Sequence, residues 1–183
     1  MKTLILNGSP RKNGDTASLI SIVSAALHGE VKLLNAYDCS IQPCVDCRYC
    51  ITNSGCSIKD GMQEVYDFIV ECDNILIASP IYFSQLTGAL LNVASRLQTF
   101  YCARKFRGEK PIEKTKKGAV ILVGGGDGTM ERAYHTARIL LRQMNASSIL
   151  PAVCFHDTNN RPAAEDADTV RAVHGIACFF NQL

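Results

Sequence analysis

Apolar and polar positions follow two distinct periods along this chain. Short unbroken apolar runs at Thr3 to Leu6, Val31 to Leu34, Asn74 to Ser79, Ala119 to Val123 and Ile149 to Phe155 are bounded by turn-forming residues. Their brevity and continuity predict strands buried on both faces, as in parallel sheets. Between them, apolar residues recur at helical spacing over Thr16 to His28, Met62 to Glu71, Thr87 to Phe100, Met130 to Met144 and Glu165 to Phe180. Strands that each lead into a helix make an α/β three-layer sandwich. The expected sheet is parallel and doubly wound, in the order 2-1-3-4-5, with right-handed crossovers placing helices on both faces. Ligands in such sheets sit beyond the carboxyl ends of the strands, at the switch point beside the first one.

The loop at that point is Asn7 to Thr16, rich in glycine, serine and asparagine. A strand, a polar loop and a helix start form an anion pocket, because backbone N–H groups and the positive helix end face the ligand. Ser9, Asn13 and Thr16 add side-chain donors, and Arg11 and Lys12 add positive charge. A nucleoside-triphosphate loop needs a lysine after its last glycine, but Asp15 follows Gly14 here. A dinucleotide loop needs three closely spaced glycines, and this one has only Gly8 and Gly14. A single terminal phosphate, as on flavin mononucleotide (FMN), fits better than either; an ordinary polar turn is the plainer alternative.

Two more loops should converge on the same edge. After the third predicted strand comes Ser79-Pro80-Ile81-Tyr82-Phe83, and after the fourth comes Gly124-Gly125-Gly126-Asp127-Gly128. A flat ring with apolar faces and one polar edge needs aromatic packing and backbone donors. Tyr82 and Phe83 could provide the first, and the main chain from Pro80 to Phe83 the second. The glycines let the backbone come close. Taken singly, the aromatics read equally well as core and the glycines as a turn.

Between the second strand and the second helix lies PCVDCRYCITNSGC, with Cys44, Cys47, Cys50 and Cys56 spaced C-x2-C-x2-C-x5-C. Three thiols at every third position of a compact turn suit the corners of a cubane, with Cys56 as the fourth ligand. Structural zinc normally uses two separated pairs. Cluster-free thiols and zinc remain the alternatives to iron and sulfide.

Through GSPRKNGDT (Gly8 to Thr16), SPIYF (Ser79 to Phe83) and the run Gly124 to Gly126, the chain resembles the NAD(P)H-dependent FMN reductase branch of the flavodoxin-like superfamily. The cysteine motif with Ile58-Lys59-Asp60-Gly61-Met62 resembles the iron-sulfur flavoproteins of anaerobes. The resemblance implies that Ser9, Arg11, Asn13 and Thr16 bind the FMN phosphate. It places the ring at Pro80, Ile81, Tyr82 and Phe83, with Gly124, Gly125 and Gly126 on its opposite side. It also implies a [4Fe–4S] cluster on Cys44, Cys47, Cys50 and Cys56. Asp15 stands where relatives usually carry a neutral residue, so its carboxylate should turn outward or pair with Arg11 or Lys12. Gly61 replaces an aspartate often found before the methionine.

The implied activity is an FMN-dependent oxidoreductase passing electrons from NAD(P)H or ferredoxin to a small acceptor. No side chain is expected to act as acid or base in reducing the flavin, whose chemistry belongs to the cofactor. The alternative is a non-enzymatic FMN-binding electron carrier or redox-sensing module that docks a protein partner. Relatives assemble as homodimers or homotetramers, with Leu97, Phe100, Tyr101 and Phe106 as the candidate contact.

Composition narrows this reading. At 183 residues and 47% apolar content, a single domain over 1–183 is expected, with the cysteine segment (about 39–60) as an insertion. A net charge of +2 with no basic stripe argues against nucleic acid. No run approaches the roughly 18 apolar residues of a membrane span. Nine cysteines without a secretion signal predict reduced thiols or ligands in a cytoplasmic protein. Cys39, Cys72, Cys102, Cys154 and Cys178 are scattered singly and read as small buried hydrophobes. His156, just past the last predicted strand, could approach a substrate at the sheet edge but is not expected to do so.

Overall fold

The computed structural model describes residues 1–126 and 128–182; Asp127 of the glycine run lies outside them. The strands are β1 (Lys2–Asn7), β2 (Glu30–Asn35), β3 (Asn74–Pro80), β4 (Lys116–Val123), β5 (Ala146–Ile149) and β6 (Val153–Phe155). The helices are α1 (Asp15–Ala26), α2 (Tyr49–Thr52), α3 (Met62–Glu71), α4 (Gly88–Ser95), α5 (Gln98–Phe106), α6 (Glu131–Gln143) and α7 (Ala167–Asn181). The sheet is parallel in the order β2-β1-β3-β4-β5, and β6 also pairs with β4.

The central strands are apolar on both faces because helices cover both. Leu4, Leu6, Ile75, Ile77, Val120 and Leu122 pack against α3, α4 and α6. Ile5, Leu76, Ala119 and Ile121 face α1 and α7, where Leu19, Val23, Val173 and Phe180 are wholly buried.

Two elements differ from the sequence expectation. The run Ile149 to Phe155 is two short strands, each paired with a different part of β4. Pro151, which has no N–H to give to a ladder, separates them. The stretch Thr87 to Phe100 is two helices, with the break at Arg96 and Leu97. There the N–H groups of Arg96 and Leu97 bond back three residues, to Val93 and Ala94, and tighten the turn. The second helix runs on to Phe106. Leu97 and Phe100 belong to the core, so only Tyr101 and Phe106 of the expected contact surface are exposed.

The break has a cause in the side chain of Arg96. Its guanidinium is wholly buried and donates to the carbonyls of Gln42 (2.8 Å) and Ile58 (3.0 Å) and to Asp60 Oδ2 (2.8 Å). Asp60 in turn accepts from the N–H groups of Gln42 (2.9 Å) and Met62 (3.0 Å). One cation thereby ties both ends of the cysteine segment to the α4–α5 corner. Burial alone would raise the Asp60 carboxyl, but Arg96 and the two amides outweigh it and hold it below its ordinary value.

Asp60→Asn leaves that cation buried and unpaired, which should cost about 3–5 kcal/mol in urea unfolding at pH 7. A carboxyl with a lowered pKa in the folded state contributes above the ordinary unfolded value and loses that contribution as pH falls. The gap between variant and wild type should therefore narrow below about pH 4.

Candidate functional site

Pairing register brings the three expected loops together. Asn7 lies opposite Ala78, and Pro80 opposite Val123, so β1, β3 and β4 end at one edge. Gly8 donates to the Ala78 carbonyl (2.8 Å) and its own carbonyl accepts from Thr87 Oγ1 (2.7 Å). A Cβ there would stand 2.9 Å from both Ser79 Oγ and Thr87 Oγ1, so only glycine permits this approach. The loop then curls on itself: Asn7 Oδ1 accepts from the Ser9 N–H (2.9 Å), and Ser9 Oγ from the Arg11 N–H (3.2 Å). Gly14 caps α1 without a side chain, leaving the first amides of the helix open for an anion.

These elements border a cavity of about 210 Å³. Among the expected residues, Ser9, Arg11, Thr16, Pro80, Ile81, Tyr82, Gly124 and Gly125 line it. Lys12, Asn13, Phe83 and Gly126 do not. Lys12 is drawn 3.4 Å from Asp38 instead. The Asp15 carboxylate accepts from the Ala163 N–H (2.7 Å), so it is used on the turn before α7 and not on Arg11 or Lys12.

Phe83 stands fully exposed at the tip of a tight turn closed by Tyr82 and Gln85, whose N–H groups donate to each other's carbonyls at 2.9 and 3.0 Å. Phe83 and Ser84 both have left-handed backbone (φ 52° and 59°), a conformation that usually signals glycine. The ring thereby stands in solvent and is not part of the cavity lining.

Thr158 and Asn159, which sequence reasoning missed, also line the cavity. Thr158 N–H donates to the Gly124 carbonyl (3.2 Å), and the Asn159 side-chain amide donates to the Gly125 carbonyl. A Cβ on Gly125 would meet Thr158 Oγ1 at 2.9 Å, so the glycine makes room for this fourth loop. The signal was present in Asp157-Thr158-Asn159-Asn160, a turn-forming run just past a strand end.

A second cavity, of about 270 Å³, gathers Cys44, Cys47, Cys50 and Cys56 with Cys102 from α5, which is buried as expected but also lies beside the motif thiols. Left-handed backbone at Asp46 (φ 49°) and Arg48 (φ 61°) folds the segment between the first three. Tyr49, Tyr101 and Phe106 supply aromatic walls. The Cys44 N–H donates to Ser95 Oγ (2.9 Å), and the Cys50 carbonyl accepts from Arg107. The Ser57 hydroxyl, 3.1 Å from its sulfur, and the Tyr49 N–H lower the Cys47 thiol from its ordinary value. Burial, with Cys102 alongside, pushes Cys50 up to about 11. Among the described residues, no three such side chains close on a single metal-ion position.

An open α/β sheet whose strand ends carry an uncapped loop and a glycine-lined cavity is the architecture of a nucleotide-binding protein. Residues 1–160 match the family model of the NADPH-dependent FMN reductases, and the chain belongs to that family, whose members are NAD(P)H-dependent flavin oxidoreductases. An iron-sulfur flavoprotein of Archaeoglobus fulgidus is 29% identical over 154 residues, covering 82% of this chain and 66% of that protein. An iron-sulfur flavoprotein of Methanocaldococcus jannaschii is 31% identical over 144 residues, covering 74% and 68%. The chain thus spans about two-thirds of the length of these relatives. In fold it is similar to an FMN-dependent NADH-azoreductase of Bacillus anthracis solved with FMN, with a TM-score of 0.64, 13% identity and full coverage of both chains. No helix among the described residues is long and apolar enough to cross a membrane.

The lowered Cys47 thiol carries more thiolate at a given pH than Cys50, so in the metal-free protein iodoacetamide should label Cys47 first between pH 7 and 8. Ser57→Ala removes the leading cause of that shift and should slow Cys47 labelling several-fold, as peptide mass spectrometry would record.

Proposed function

We propose that this chain is an FMN-dependent oxidoreductase that takes electrons from NAD(P)H or ferredoxin and passes them to a small acceptor. The observation that supports it most is the meeting of the Gly8 to Thr16 loop, the Pro80 to Tyr82 segment and Gly124 to Gly125 around one cavity. The cradle fits a phosphate monoester. Its helix end carries free amides, Thr16 is buried at the first turn, and Arg11 is the cation on the lining. Pro80, Ile81 and Tyr82 would flank the ring. When bound, FMN supplies the exchange of two electrons or one. The residues of this chain position it, exclude water from one side, and present backbone N–H groups to its polar edge.

The four motif cysteines would hold a [4Fe–4S] cluster, which supplies one-electron exchange. The C-x2-C-x2-C-x5-C spacing and the shared cavity support a four-iron body over zinc, which normally uses two separated pairs. Helix α4 joins the two sites. Thr87 at its start bonds Gly8, and Ser95 at its end bonds Cys44. Eight residues separate them by about 12 Å along the axis.

On this reading the whole chain is one flavin-binding unit, with the cysteine segment inserted between β2 and α3. Exposed Tyr101 and Phe106, beside the thiol cavity, support self-association into a dimer or tetramer.

Anaerobic purification followed by an absorbance spectrum and quantitation of flavin, iron and sulfide tests the assignment directly. Ser9→Ala combined with Thr16→Ala should cut retained FMN at least tenfold; undiminished flavin counts against the phosphate site. Cys47→Ala should abolish bound iron while leaving FMN in place; unchanged iron rules out that ligand set.

A further inference from the structure

The guanidinium of Arg96 is bonded through only two of its three nitrogens. Nη1 donates to Gln42 and Asp60, and Nη2 donates to Ile58. Nε has no partner among the described residues, although the side chain is wholly buried. A buried donor without an acceptor is costly, so folded proteins keep few of them and each one needs an account. In this planar group the Nε–H lies on the edge away from Nη1, and so away from Asp60. Arg96 also lines the thiol cavity. Its charge is already met by the Asp60 carboxylate, 2.8 Å away, so what it offers the cavity is one directed N–H.

Cys56 is the motif thiol that the same corner of the chain grips. Thr99, in the first turn of α5, donates to the Gly55 carbonyl (2.9 Å), and Arg96 donates to the Ile58 carbonyl (3.0 Å). Cys56 lies between those two anchors and packs against the core, whereas Cys44 and Cys47 are exposed. Arg96 is fixed through its backbone as well. Its carbonyl accepts from the Tyr66 hydroxyl (2.8 Å), and the Tyr66 ring packs edge-on against Phe100. A donor held this way needs no reorganisation when its acceptor gains charge.

We propose that the Arg96 Nε–H donates to a cluster sulfur at the Cys56 corner and thereby favours the reduced cluster. The inference rests on the cluster reading above. An added electron increases the negative charge on the sulfur atoms, and a hydrogen bond to a more highly charged acceptor is stronger. The guanidinium keeps its proton in both states, so Arg96 biases the electron without releasing a proton.

The holoprotein, grown with arginine carrying nitrogen-15 at Nε alone and purified anaerobically, would be reduced with titanium(III) citrate. Pulsed EPR at the cluster signal then reads the coupling to that nitrogen, because two-electron-reduced flavin is silent. The coupling should appear in the wild type and be lost in Arg96→Lys, which keeps a positive charge beside Asp60 without the Nε–H. It should persist in Arg48→Lys and Arg107→Lys, which alter the other arginines beside the cysteine segment. If Arg96→Lys fails to fold or load, persistence in both of these supports the assignment. In an EPR-monitored redox titration, the ratio of reduced to oxidised cluster at a fixed potential should fall roughly tenfold in Arg96→Lys, the equivalent of one hydrogen bond to a charged group. A loaded wild type without the coupling, a coupling that survives Arg96→Lys, one lost with Arg48 or Arg107, or an unchanged ratio overturns the proposal. Protein free of iron and sulfide after anaerobic purification overturns the cluster reading itself, and this inference with it.

Discussion

The common end point of β1, β3 and β4 is the constraint on which the site depends. Parallel pairing fixes Asn7 against Ala78 and Pro80 against Val123, and a slip of one residue would turn every side chain of a strand to the opposite face. Leu4 and Leu6 on one face and Ile5 on the other are all buried, so the strand sits at the centre of the core and its register is read from the bonds at its end. The loops inherit this alignment. Gly8 continues the ladder by donating to Ala78, and Ile81 by donating to Val123, before either chain departs from the sheet. A binding edge built from backbone amides is only as well defined as the strands that carry it, and here they lie at the centre of the core.

The thiol cavity rests on different physics. Its segment buries little apolar surface of its own, and Cys44 and Cys47 are exposed. Order comes instead from a buried cation whose guanidinium meets two carbonyls and one carboxylate. Such a group is costly to desolvate and strongly destabilising if unpaired, so the loop cannot leave it without penalty. The loop segment is therefore held at its two ends, near Gln42 and near Ile58 to Asp60, while the stretch bearing the first three thiols spans the gap between. That arrangement keeps the donors close and leaves them room to adjust.

Much of this was legible in the residues. Continuous apolar runs at β1, β3 and β4 and the helical periods between them specify a doubly wound sheet, and the sheet places its own loops. The parts that were not legible depend on contacts between residues far apart in the chain. The turn at Arg96 has no proline or glycine; what bends it is a bond to residues 36 to 54 positions away. Phe83 and Ser84 adopt left-handed backbone without a glycine, so the exposed ring at the tip could not be foreseen from local chemistry. Lys12 sits among phosphate-type residues in sequence but is claimed by Asp38. Cys102 and Asn159 join their cavities from elements remote in sequence; the split of the last strand had a local signal in Pro151, and the loop bearing Asn159 had one in its turn-forming run.

Helix α4 is the element that gives the two cavities a fixed relation. It is clamped at its start by the Thr87 hydroxyl on the Gly8 carbonyl and at its end by Ser95 on the Cys44 amide. Leu90 and Val93 anchor its middle in the core against β3 and β4. A short helix with both ends bonded and its apolar face buried has little freedom to tilt, so a displacement at one cavity must be taken up by its loop and not by the spacing between sites. This also explains why the segment from Thr87 to Phe106 is divided. One straight helix could bury its face on the sheet, but it could not also turn Cys102 toward the thiols and Arg96 into the cysteine loop. The bend gives the first helix to the edge where β1, β3 and β4 end and the second to the cysteines.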